Sequence, residues 1–161
     1  MSIEIKKMET DDEFKGKAYV HWKGWQEAYT GIVDQGYLDG LTLEKCEEIA
    51  YKWPDNIFVA KDGEKVVGFV GYGDCRNEDL QEAGEIFAIY ILKEYYGTGT
   101  GKALMDKGLE VLDKSEVVVW VLKDNSRAIR FYEKCGFRSD GTEKEIELGA
   151  QIIEIRMVRK R

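Results

Sequence analysis

The chain has 161 residues, 43% of them apolar and 34% charged, with a formal net charge of −7. That length suits one domain with a sizeable core and is short for two; the acidic balance argues against a nucleic-acid partner, which calls for a basic surface. The apolar runs fall far below the ~20 residues that cross a bilayer, and Cys46, Cys75 and Cys135, with only His21 to join them, predict neither a disulfide framework nor a metal site.

In chain order, Ile3 and Ile5 alternate with polar residues and predict a short opening strand. Thr10 followed by Glu13 is a capping-box signal. Phe14, Ala18, Trp22, Trp25 and Tyr29 then share one helical stripe that Gly31 closes, with His21 read as a packing or surface residue. Residues 34–41 predict a short helix or turn. Thr42 caps a helix reaching Trp53, with Leu43, Cys46, Ile49 and Ala50 at helical spacing, and Pro54 stops it. Strands over 56–61 and 65–73 flank the hairpin signal Asp62-Gly63, and the polar residues 74–83 form a loop or strand end.

Residues 86–92 are an unbroken apolar run. A turn over 93–96 and the stretch Gly97-Thr98-Gly99-Thr100-Gly101 lead into a helix over 100–114, and 117–122 is a second apolar run. Such runs suit strands covered on both faces, and strand–helix–strand here predicts a right-handed crossover between parallel neighbours. Asp124-Asn125 caps a further helix with Ala128, Phe131, Tyr132 and Cys135 inward, ended by Gly136. Strands over 137–146 and 150–158 close the chain around Leu148-Gly149. The charged opening Met1 to Lys7 lacks the apolar centre of a signal peptide, so a reducing, cytoplasmic setting is expected.

A buried strand, a glycine-rich turn and a helix N-terminus together hold an anion: first-turn N–H groups point outward, the helix dipole adds positive potential, and glycine lets backbone approach a phosphate. The candidates are Tyr96, Gly97, Thr98, Gly99, Thr100, Gly101 and Lys102. A Walker A reading fails because Ala103 follows Gly101-Lys102 and Tyr96 stands where the first glycine belongs. The dinucleotide spacing fails at Lys102 and at Leu104.

The same stretch resembles the pyrophosphate loop of the GNAT superfamily of N-acetyltransferases, Gln/Arg-x-x-Gly-x-Gly/Ala: Gly99 and Gly101 match the small positions and Tyr96 departs from the Gln/Arg. Asn125-x-x-Ala128-x-x-Phe131-Tyr132-x-x-x-Gly136-Phe137 resembles the second signature of that family at every position. The resemblance is good over 56–140; the first third agrees in element order only. It implies one domain over 1–161, an α/β fold with a mixed sheet of six or seven strands flanked by about four helices, and a fourth and fifth strand that splay apart. It further implies acetyl-CoA as cosubstrate, its pyrophosphate on the 96–102 loop, its pantetheine on backbone groups of Ile89 and Ile91, a contact from Asn125, and Tyr132 near the sulfur.

Acetyl transfer to an amine requires that an ammonium of pKa ~10.4 lose its proton, that a developing oxyanion meet a donor, and that a thiolate leave. Glu85, opening the fourth strand where some family members carry a catalytic glutamate, is the candidate base; Tyr132 is the candidate acid, and a backbone N–H near Ile91 the oxyanion donor. Cys135 sits at a helix C-terminus, where the dipole disfavours a thiolate, so direct transfer in a ternary complex is expected over an acetyl-cysteine. Asp34 and Asp39 on one side and Glu143, Glu145 and Glu147 on the other, with Trp25 and Tyr29, suggest a small, cationic, polyamine-like amine as acceptor. A peptide or protein amine (N-terminal or lysine) and a non-catalytic acetyl-CoA-binding regulatory module are the alternatives. No nucleic acid, membrane or metal is expected, and a homodimer is allowed.

Overall fold

The computed structural model describes residues 2–161. Thr10 and Glu13 bond reciprocally, as their spacing predicts: the Thr10 hydroxyl accepts from the Glu13 N–H at 3.2 Å, and the Glu13 carboxylate accepts from the Thr10 N–H at 3.0 Å. They start α1 (Asp11–Tyr29). Asp34 caps the short α2 (Gln35–Gly40) and Thr42 caps α3 (Leu43–Lys52), each accepting a first-turn N–H.

The strands are β1 (Ile3–Lys7), β2 (Ile57–Asp62), β3 (Lys65–Asp74), β4 (Gly84–Ile91), β5 (Glu116–Leu122), β6 (Arg138–Glu147) and β7 (Gln151–Lys160). The helix α4 (Thr100–Leu112) joins β4 to β5, and α5 (Ser126–Lys134) joins β5 to β6. All seven strands form one mixed sheet in the order β1-β2-β3-β4-β5-β7-β6. The core built on it includes Phe69 and Met157 of the sheet, Leu104 and Met105 of α4, and Phe137, all buried. Tyr90 lies against Gly24 of α1, whereas Ile86 and Ile91 lie against Gly108 and Gly101 of α4, so α1 and α4 cover opposite faces. Among the described residues no helix is long and apolar enough to cross a membrane.

Ile86 and Ile91 share a face although they are five positions apart, an odd offset that in a regular strand would put them on opposite faces. The register explains it: Tyr72 pairs with Ile86 and Gly71 with Ala88, leaving Phe87 as an extra residue in β4. Such a bulge bends the strand. The bend matters because β4 and β5 pair in parallel only at Gly84–Val117 and Glu85–Val118. Beyond that point β4 continues along β3 and β5 continues along β7, so the two part.

Among the described residues five α-helices flank the sheet, the short α2 falling where residues 34–41 predict a short helix or turn. Helix α4 stops at Leu112 rather than 114, because Asp113 turns to the left-handed region with φ +48°. Strand β7 runs beyond 158: Arg159 and Lys160 continue it, pairing with Val117 and Glu116.

Candidate active site

The parting of β4 and β5 opens a cavity of about 290 Å³ through the sheet. At one end stands the glycine loop. Gly97 and Gly99 hold φ +76° and +87°, and an added Cβ at either would meet nothing within 4 Å, so the left-handed backbone and open approach, not crowding, favour glycine there. Gly99 is the N-cap of α4 and provides no side-chain cap, which leaves the first-turn N–H groups facing outward. Thr98 donates to the Tyr95 carbonyl at 2.6 Å and lies 2.8 Å from the Thr100 hydroxyl, stiffening the turn. Of this loop, Tyr96 and Gly101 line the cavity. Lys102 does not; it pairs with Asp106 at 2.8 Å along the helix surface.

The cation at this end comes from elsewhere. Arg127, in the first turn of α5, lays its guanidinium 3.3 Å above the Tyr96 ring and lines the cavity beside it. The residue that departs from the family's Gln/Arg is thus the platform for an arginine from the next helix. Sequence reasoning missed Arg127, although its place two residues after Asn125 was the available signal.

Along the gap, the Leu92 N–H donates to the Val67 carbonyl on β3. Backbone groups alternate in direction along a strand, so those of Tyr90 point to β3 and those of Ile89 and Ile91 point into the gap. Backbone amides turned toward a cleft require a partner. An extended chain bearing amides and ending in a pyrophosphate meets that need, so the residues present fit the pantetheine and pyrophosphate of acetyl-CoA. Asn125 is buried and lines the cavity, but its Oδ1 accepts from the Ala128 N–H and caps α5.

Tyr132 lines the cavity wall, packed edge-on against Phe131 and Phe137. Burial pushes its phenol well above the ordinary value, which keeps it protonated and a donor. Across the cavity, Tyr29 of α1 and Tyr90 of β4 share a hydrogen bond of 2.7 Å, and burial pushes the Tyr29 phenol up to about 12. His21 packs among Trp25, Phe69 and Tyr90, and burial, aided by Lys17, lowers its imidazole to about 4, so it is neutral and has a packing role. Cys135 is the C-cap of α5, and burial raises its thiol.

At the far end Glu85 is 1% exposed. Arg76 holds it three times: backbone N–H to Oε1 at 3.2 Å, Nε to Oε1 at 3.5 Å and Nη2 to Oε2 at 2.8 Å. The loop carrying Arg76 is itself clamped. Asp79 takes a bidentate pair from the buried Arg156 at 2.8 Å, and Asn77 accepts from the Trp120 Nε1 at 3.1 Å. A second carboxylate, Glu154 of β7, also faces the cavity; burial raises its pKa. Sequence reasoning missed it because it stands in the middle of an otherwise ordinary strand.

The acidic walls expected from the sequence are not cavity walls. Strand alternation sends Lys144 and Ile146 of β6 into the cavity and Glu143, Glu145 and Glu147 to the other side, where Glu143 pairs with Lys123 at 2.9 Å. Asp34 is occupied as the cap of α2, and Asp39 accepts from Gln35 at 2.8 Å. Trp25 and Tyr29 do line the cavity.

The sequence matches the family described as Acetyltransferase (GNAT) family over residues 20–137. An uncharacterized N-acetyltransferase, YuaI of Bacillus subtilis, is 35% identical over 130 residues, 76% of this chain and 73% of the relative. A mycothiol acetyltransferase of Corynebacterium efficiens is 30% identical over 132 residues, 80% of this chain but 42% of that longer protein. Among solved structures, the PaiA N-acetyltransferase of Thermoplasma acidophilum in complex with coenzyme A superposes with TM-score 0.76 over all of both chains at 23% identity. At that identity the likeness speaks for the fold, while the family match and the B. subtilis relative speak for the activity. The chain belongs to the GNAT family of acetyltransferases and is an acetyl-CoA-dependent N-acetyltransferase.

Proposed function

We propose that this protein transfers acetyl directly, in a ternary complex, to the primary amine of a small cationic, polyamine-like molecule. The observation that carries the reading is that one cavity runs from the glycine loop, through the gap between β4 and β5, to Tyr132, Glu85 and Glu154. Acetyl-CoA supplies the acetyl group as a thioester. The 97–102 backbone with Arg127 holds its pyrophosphate, and the amides of Ile89 and Ile91, with Asn125, hold its pantetheine. The Tyr132 hydroxyl donates to the departing sulfur; a thiolate of pKa ~8.5 needs little more than that hydrogen bond. Glu85, fixed by Arg76, takes a proton from the attacking nitrogen through a water.

Support for a cationic acceptor comes from Glu154 and Glu85 at the far end and from the aromatic rings of Trp25 and Tyr29, each worth ~0.5–2 kcal/mol to an ammonium depending on desolvation. Direct transfer is favoured over an acetyl-cysteine because Cys135, at a helix C-terminus with a raised thiol, is a poor nucleophile. The test is thiol release with spermidine, aminoglycosides, amino acids and short peptides as acceptors. Spermidine-like amines should be preferred, with specificity falling as salt rises. A marked preference for a neutral or acidic peptide, insensitive to salt, would overturn the acceptor class. Coenzyme A binding with no thiol release for any amine would make the protein a binding module.

A further inference from the structure

Glu85 and Glu154 are the carboxylates that line the cavity among the described residues, and their surroundings differ. Arg76 occupies Glu85 with two hydrogen bonds to Oε1 and one to Oε2, so one position on Oε2 is left, enough for a water and not for a chelated ammonium. Glu154 pairs across β7 with Leu122 of β5 and with Lys144 of β6, a register that sets it on the cavity floor. Its side chain is 20% exposed, and the nearest cation, Lys144 Nζ, is 3.6 Å from Oε1, beyond hydrogen-bond reach. Lys144 is itself drawn aside, with its ammonium 4.0 Å above the Trp120 ring. Lys144 thus pairs only loosely with Oε1 of Glu154 and leaves its Oε2 open to the cavity, whereas Glu85 is largely taken up by Arg76.

Resting on the transfer reading above, we propose that Glu154 receives the ammonium of the acceptor and takes its first proton, while Glu85 takes the second. An alkylammonium sheds two protons on its way to an amide. In the first step the N–H bond of the ammonium breaks, its electron pair stays on nitrogen, and the proton moves to a Glu154 oxygen, leaving a neutral amine and a carboxylic acid. That lone pair then forms the C–N bond while the C–S bond breaks, its electrons leaving with sulfur. The remaining surplus proton on nitrogen passes through water to Glu85. The charged and titratable groups that face Glu154 are Lys144 of β6, Arg76 of the 75–83 loop, Glu85 of β4, Tyr29 of α1 and Tyr132 of α5. Burial and the Glu85 charge favour the protonated form of Glu154, and Lys144 and Arg76 oppose them. A carboxylate made more basic than usual is better matched to an ammonium.

Two measurements test the assignment. The first uses the protein alone with carbon-13 at the glutamate carboxyls. One signal should titrate above the exposed glutamates and vanish in Glu154→Gln; a Glu154 carboxyl titrating with the others overturns the proposal. The second compares Glu154→Gln, Glu154→Asp and Glu85→Gln with spermidine, ethylamine and difluoroethylamine, the last being largely neutral near pH 8 or so because fluorine lowers its basicity. Unaltered coenzyme A binding checks the fold. Glu154→Gln should lower kcat/KM for spermidine and ethylamine by about 10²-fold while difluoroethylamine loses far less, and Glu154→Asp should recover part of the loss. Equal losses for all three amines would make Glu154 a structural residue, and no loss would remove it. If the unaltered enzyme acetylated none of the amines, the transfer reading itself would fall, and this assignment with it; turnover insensitive to Glu154→Gln overturns this assignment alone.

Discussion

A phenol raised by burial gives up a proton reluctantly but keeps it available for donation, and that limits what Tyr132 contributes. Replacing it by Phe leaves the ring packed on Phe131 and Phe137, so the fold should hold. Turnover should fall by about tenfold, near or below the low end of general-acid contributions, because a thiolate is a good leaving group. The Michaelis constant for acetyl-CoA should change less, since the hydrogen bond strengthens only as charge develops on sulfur. Steady-state kinetics, with a single-turnover experiment to confirm that chemistry limits the rate, decide it; unaltered turnover would remove Tyr132 from the reaction. Arg127 carries a separate expectation. Arg127→Ala removes the cation stacked on Tyr96 and should weaken coenzyme A by roughly tenfold, the worth of one charge-assisted hydrogen bond. The same variant should bind pantetheine as the unaltered protein does, because pantetheine lacks the phosphates. A matching loss for pantetheine would mean that Arg127 shapes the cavity and does not meet the pyrophosphate.

The glycine loop was legible in the sequence because it is local: a strand, alternate glycines and a helix start within one stretch, and φ +76° and +87° fall on Gly97 and Gly99. Gly99→Glu should abolish coenzyme A binding by setting a negative charge at the N-terminus of α4. It also forces a side chain into the left-handed region, at ~1–2 kcal/mol. Gly99→Asn separates the two effects, since asparagine tolerates that backbone and carries no charge. Calorimetry should therefore find binding retained in Gly99→Asn and lost in Gly99→Glu; equal loss in both would assign the effect to strain. What the sequence did not make legible is set by partner choice at long range. The gap exists because β4 follows β3 and β5 follows β7, and no local pattern names those partners. The splay was available only through the family resemblance. The carboxylates of β6 were misplaced for the same reason: the alternation of 143–147 was plain, but which set faced inward depended on pairing with β7. Arg127 was missed because its importance arises from Tyr96, far back along the chain, and Glu154 because its place on the cavity floor is set by the pairing of β7 with β5.

At the scale of the molecule, a net charge of −7 says little about where acidity matters, because most carboxylates are on the surface. Two groups stake the fold on protonation state, one buried and one half-buried. Glu13, 1% exposed, closes the capping box of α1 and accepts from Lys6 of β1 at 2.7 Å and Lys61 of β2 at 3.1 Å, tying the helix to the sheet edge. Although burial opposes it, the Lys6 hydrogen bond and the backbone donors hold its carboxyl well below the ordinary range. A carboxyl depressed on folding stabilises the protein above its unfolded pKa of ~4.3, and that stability is lost as pH falls through the folded value. His21, lowered to about 4, acts at higher pH. The unfolded chain takes up its proton near pH ~6.5 while the folded chain resists until about 4, so stability should decline across that window before Glu13 contributes. The two effects separate by mutation. His21→Phe keeps an aromatic ring against Trp25, Phe69 and Tyr90 and should flatten the decline between about 6.5 and about 4, leaving the steeper loss below it. Glu13→Gln should lower stability at neutral pH by about 2 kcal/mol, the worth of hydrogen bonds to a charged group, and weaken the dependence below ~4.3. Urea unfolding at a series of pH values measures both. A pH dependence between about 6.5 and about 4 that survives His21→Phe would show that the imidazole is not held neutral in the aromatic cluster.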